Sequence, residues 1–123
     1  MQTRASTSAI ERRSLLTAIP GGLTGVERVE ITQITLPGNH PVGLHLHPCP
    51  VVGYVVAGSI LFQVADQPAR VLHAGDAFFE PAQTPIPHFD NATAEPAIFV
   101  ACYLLGAADQ ERIIMLPQPE TQE

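Results

Sequence analysis

The feature that most limits what this chain can become is its punctuation. Twelve prolines and nine glycines, about one residue in six, fall between short apolar runs. Proline fixes φ and removes a backbone donor, and glycine opens conformations that interrupt regular structure. Spacing of this kind leaves segments of strand length and few long enough for a stable helix. The pattern predicts an all-β fold, and 123 residues are enough for one domain.

Along the chain, residues 1–25 read as an N-terminal arm and lead-in, polar and Ser/Thr-rich at first. Residues 26–106 read as the β-barrel, and residues 107–123 as a polar C-terminal tail. Within the barrel, residues 26–36 alternate with β-branched apolar side chains and predict a strand that ends at the turn Pro37-Gly38-Asn39. Further strands are expected over 42–47, 51–57, 59–65, 70–73 and 77–80, with a hairpin around Gly58. A proline-rich loop from Pro81 leads to His88 at the start of another strand. Residues 97–105 are almost wholly apolar and belong at the centre of a sheet. So many short strands must protect their edges, which a closed barrel or a double-sheet jelly roll achieves. Edges can also pair between subunits, so a homodimer is the expected assembly.

Charge removes several function classes. The six bases are all arginine and there is no lysine, which excludes Schiff-base chemistry on an internal lysine and a P-loop lysine. A net charge of −6 without a basic patch argues against nucleic acid as a partner. No apolar run approaches the ~20 residues that span a bilayer, so no membrane partner is expected. Arg12-Arg13-Ser14-Leu15-Leu16 has a twin-arginine look, but its apolar stretch breaks at Pro20-Gly21-Gly22, short of an h-region of ~7–15 residues. Two cysteines, Cys49 and Cys102, make no disulfide framework, and a reduced cytoplasmic protein is expected.

Chemistry centres on the histidines. His45 and His47 are two apart in a strand-like segment and project to one face, while Val42, Leu44 and Leu46 take the other. Two arrangements follow: exposed histidines over an aliphatic core, or histidines lining a cavity with aliphatics packed between sheets. Glu80 ends a strand in which it shares a face with Phe78. It reads as a rim carboxylate in water, as a pocket acid/base or orienting partner, or as a direct ligand. Gln63 sits mid-strand opposite Phe62 and Val64 and is a candidate donor to a bound ligand or cofactor. Cys102 reads as core, Cys49 as rim packing, and Tyr54 and Tyr103 as packing. His40 and His73 read as exposed, and Asn91 as tying down a turn.

Gly43, His45, His47, Val51 and Gly58, followed by Gly75, Pro81, His88 and Asn91, resemble the two cupin motifs. The resemblance covers about residues 27–105, with a short stretch, 59–74, between the motifs as in small bacterial cupins. It implies a double-stranded β-helix barrel, often a homodimer, with a divalent metal in the barrel mouth on three His and one Glu. Carried over by position, His45, His47 and His88 are the metal ligands, and valine at position 51 stands where the family has Glu. Three imidazoles suit Fe, Ni, Mn, Co or Zn and leave open positions for a small-molecule ligand or substrate. The leading expectation is dioxygenase- or isomerase-type chemistry on a small oxygenated organic molecule, with Glu80 as base or orienter. The alternatives are a non-catalytic ligand-binding or sensor barrel, with or without metal, and a metal-free isomerase using His88 and Glu80.

Overall fold

The computed structural model describes residues 10–20, 25–107 and 111–117. Among them are ten strands and no helix: β1 (Arg28–Leu36), β2 (His40–Pro41), β3 (His45–Leu46), β4 (Val51–Ala57), β5 (Ser59–Gln63), β6 (Arg70–His73), β7 (Ala77–Glu80), β8 (His88–Asn91), β9 (Ala97–Leu105) and β10 (Ile114–Met115). Two four-stranded antiparallel sheets form, in the orders β1-β9-β4-β7 and β2-β8-β5-β6, with β10 and β3 making a small third pair. The chain crosses repeatedly from one large sheet to the other, which is jelly-roll connectivity.

Each sheet turns one face inward, so period-2 patterning decides what is buried. β9 alternates along its whole length, with Ala97, Phe99, Ala101, Tyr103 and Leu105 inward and Cys102 on the opposite, half-buried face. Cys102 is therefore not a core residue: the strand is central in its sheet, between β1 and β4, yet only one of its faces is interior. The inner faces meet in an aromatic cluster of Phe62, Phe78, Phe89 and Phe99. Its ring centroids lie from 4.7 Å (Phe89–Phe99) to 6.1 Å (Phe78–Phe99) apart. Burying each such ring contributes about 1.5–3 kcal/mol. β4 passes this cluster with no room for a side chain at Gly53, where a Cβ would collide with the Phe78 ring and the Val100 carbonyl.

Asn91 fastens the crossing between sheets, as the sequence suggested for a turn residue. Its side chain is 1% exposed. Nδ2 donates to the carbonyls of Leu36, Pro37 and Glu95 at 3.3, 3.0 and 2.8 Å. Oδ1 accepts from the Thr93 amide and hydroxyl at 3.0 and 2.8 Å. Asn91→Ala strands these partners, and a loss of roughly 3 kcal/mol is expected in denaturant unfolding; a loss below about 1 kcal/mol would show that water replaces the amide.

Candidate metal centre

β3 is two residues long because Gly43 precedes it and Pro48 and Pro50 follow it. Gly43 takes φ 97°, a conformation that favours glycine, and its carbonyl accepts the Nδ1–H of His45 at 2.7 Å. The His47 Nδ1–H goes to the carbonyl of Arg112 at 2.6 Å. A carbonyl can only accept, so in each ring Nδ1 carries the hydrogen and Nε2 is the atom left to meet an ion. Both rings are buried, at 2% and 5% exposure, and meet edge to face with centroids 5.0 Å apart. Of the two arrangements the sequence allowed, the histidines line the cavity.

Glu80 closes the group. It is 3% exposed, so it is not a rim carboxylate, and its Oε1 lies 2.7 Å from His47 Nε2. In the ladder between β4 and β7, Glu80 faces Val51. The carboxylate thus stands on the neighbouring strand, directly across from the position where the resemblance placed one. Ligand atoms of His45, His47 and Glu80 all lie within 4.8 Å of one another. Two atoms each ~2.1 Å from an ion at right angles sit about 3 Å apart, so the group can close on an ion with small movements. Glu80 Oε2 is buried and has no hydrogen-bond partner. An orphaned buried oxygen beside two imidazole nitrogens is the donor set a divalent transition metal takes, and these residues fit one.

Local electrostatics separate the two histidines. Burial pushes the His45 pKa below its ordinary 6.5, outweighing the Gly43 carbonyl and the charge of Glu80. Burial acts the same way on His47, but the hydrogen bond and charge of Glu80 prevail and raise its pKa. Tyr103 also lines the cavity, its ring 6.0 Å from that of His47. Burial and the charge of Glu80 lift its phenol above 10.0, so it remains a hydrogen-bond donor.

His88 and Gln63 do not join the site. β8 turns Phe89 and Asn91 inward, so His88 faces out. Its side chain is 45% exposed, and Nδ1 donates to Asp90 Oδ2 at 2.8 Å. The residue that bridges His45 is Ile86, fully buried. Of the three histidines expected, the structure brings His45 and His47 together, with Glu80 rather than His88 beside them. Gln63 lies opposite His88 on β5, and its amide donates to the Gln67 carbonyl at 2.9 Å. Its neighbour Phe62 holds the interior position, and Gln63 does not line the cavity. His40 and His73 are exposed, as expected, and Cys49 is buried with the core.

Sequence reasoning missed the segment after Gly106. Arg112 supplies the acceptor for His47, Ile113 lines the cavity, and β10 pairs with β3 so that Met115 faces His45. This strap is clamped by Arg112, whose Nε and Nη2 donate to the two carboxylate oxygens of Glu30 at 2.6 and 3.1 Å. A strap with its own β-branched pair, Ile113-Ile114, next to a lone arginine was the available signal. Arg112→Ala and Glu30→Gln are each expected to weaken metal binding about tenfold by loosening the His47 acceptor. Combined, they should do no more than either alone; additive losses would mean the clamp does not act through this pair.

The cavity holds about 210 Å³ and is lined by residues of both large sheets and the strap. Fold and site together define a jelly-roll barrel with a His/His/Glu group able to hold a divalent ion inside its mouth. The cupin-domain family model matches residues 32–103, and the chain belongs to that family. No curated protein sequence matches it significantly. Among solved structures it is similar to a DMSP lyase of Ruegeria pomeroyi DSS-3, at 20% identity and TM-score 0.64 over 75% of this chain and 45% of that one. It is also similar to an oxalate oxidase, at 20% identity and TM-score 0.61 over 72% and 46%. A third is the Bacillus subtilis oxalate decarboxylase with Mn(II) centres, at 22% identity and TM-score 0.59 over 72% and 24%. The chain spans less than half the length of each, and at these identities the likeness is one of fold.

Proposed function

We propose that this cupin is a metal-dependent enzyme acting on a small oxygenated organic molecule, by dioxygenase- or isomerase-type chemistry. His45, His47 and Glu80 would hold Fe, Ni, Mn, Co or Zn. The observation that carries this reading is the unpartnered Glu80 Oε2, buried beside two histidines whose Nε2 atoms are turned to the same point. A bound ion supplies Lewis acidity toward a substrate oxygen, or a metal-bound water of lowered pKa. The chain's own part is orientation: backbone carbonyls fix both rings, and the Tyr103 phenol donates to a substrate oxygen. The apolar wall excludes water from the reacting centre. Manganese in the oxalate decarboxylase, and the small-molecule substrate named for it and for the oxalate oxidase, support a metal-dependent reading. A homodimer is the proposed assembly, with edge strand β1 offering exposed Val29 and Ile31.

The short His47–Glu80 contact favours a second reading, a metal-free acid/base pair that shuttles one proton. Elemental analysis of protein purified without imidazole or added metal decides between them. About one equivalent of a transition metal, lost in His47→Ala, is expected. Metal-free protein that takes up no ion on titration would overturn the metal reading and leave the proton shuttle.

A further inference from the structure

The walls of the cavity say what its occupant must look like beyond the atom that meets the metal. Polar groups gather at one end: His45, His47, Glu80 and Tyr103. The rest of the lining is hydrocarbon, with Ile34, Leu36, Val42, Phe78, Phe89 and Phe99 among it. The chain has no lysine, and among the described residues no arginine lines the cavity; the Arg112 guanidinium is turned to Glu30. The wall thus offers no counter-charge away from the polar end. A divalent ion on two neutral imidazoles and one carboxylate leaves that end at +1. A single carboxylate or enolate brings it to neutrality, whereas a dianion leaves an unpaired negative charge against hydrocarbon, which is strongly unfavourable. A cavity of about 210 Å³ holds on the order of seven water-sized groups, so the molecule is small.

We infer that the substrate class is a small monoanionic oxygen ligand, a carboxylate or enolate, with an uncharged apolar tail, and that dianions such as dicarboxylates are rejected. This rests on the metal centre proposed above. Affinity then comes from the tail, at about fourfold per buried methylene.

The test is calorimetric and needs no turnover. The full chain is loaded with one equivalent of Co(II), read by its visible spectrum, then titrated with acetate, propanoate, butanoate and succinate. Butanoate and succinate differ by a methyl exchanged for a carboxylate at the far end. Affinity is expected to climb about fourfold per methylene from acetate to butanoate, with succinate at least about tenfold weaker than butanoate. Ile113 lines the cavity yet is 38% exposed, so Ile113→Lys can be accommodated and supplies the missing counter-charge. In that variant succinate should gain about tenfold over the parent. Succinate binding as tightly as butanoate, or a flat series from acetate to butanoate, would overturn the ligand class while leaving the metal centre standing. Failure to take up Co(II) would instead overturn the centre itself.

Discussion

Glu80→Gln should strip the protein of its metal, while His88→Ala keeps a full equivalent. Glutamine preserves the shape of the side chain and can still hydrogen-bond His47, so the barrel and cavity survive the change. What disappears is the anionic oxygen that now lies buried without a partner. Loss of a direct ligand should exceed the about 10- to 100-fold that loss of an outer partner costs. His45→Ala and His47→Ala should behave like Glu80→Gln. His88 bonds Asp90 on the outer face and contributes nothing to the group. Elemental analysis of the four variants checks this directly. Metal lost from His88→Ala as fully as from His47→Ala would show that the centre is assembled differently.

A second large effect is a pH dependence that differs between the metal-free and the metal-loaded protein. With Nδ1–H committed to the Arg112 carbonyl, a 2.7 Å contact between His47 Nε2 and Glu80 Oε1 requires a proton between them. A metal must displace that proton. Below the raised His47 pKa, apparent metal affinity should therefore rise about tenfold per pH unit and level off above it. Metal-free stability follows the other sign. A histidine whose folded pKa is raised stabilises fully below its unfolded value of 6.5, and the contribution is lost as pH climbs through the folded pKa. His45, lowered by burial, works in reverse: below 6.5 the unfolded chain binds a proton the native ring refuses. From these two groups the metal-free protein is most stable near pH 6.5 and falls above it, whereas the loaded protein climbs to that pH and then holds level, because neither its liganded rings nor those of the unfolded chain keep a proton there. Melting temperatures from pH 5.5 to 8.5, with and without one equivalent of Co(II), measure both slopes. Parallel slopes would mean that no proton is exchanged for the metal.

The strands were legible because their limits are written locally. Proline and glycine bracket β4, β7 and β9, and alternation in β9 runs unbroken from Ala97 to Leu105. The shared face of His45 and His47 follows from parity alone. Which side of the sheet that face occupies did not, because it depends on the opposite sheet. Gln63 was lost to the same ambiguity, since Phe62 rather than Gln63 takes the interior. His88 failed for a different reason. Ile86 and Phe89 both point inward across an odd spacing with Pro87 between them, so alternation slips before β8 and motif spacing no longer predicts direction. The role of Glu80 needed the pairing of β7 with β4, which sets it opposite Val51. The strap was least legible of all, since its contacts with β3 span more than sixty residues of sequence and no local pattern encodes them.

That span has a consequence for how the protein is made. The Arg112 carbonyl that orients His47 lies 65 positions further along the chain. At about 5–20 residues per second, the two histidines are synthesised roughly 3–13 s before the group that fixes one of them. A nascent chain displaying His45 and His47 lacks the group that settles the His47 ring and, for half of that interval, Glu80. The centre is thus completed only when nearly all of the barrel has been delivered. On the metal reading proposed above, the ion would be set by the metals available to the finished protein rather than to the growing one.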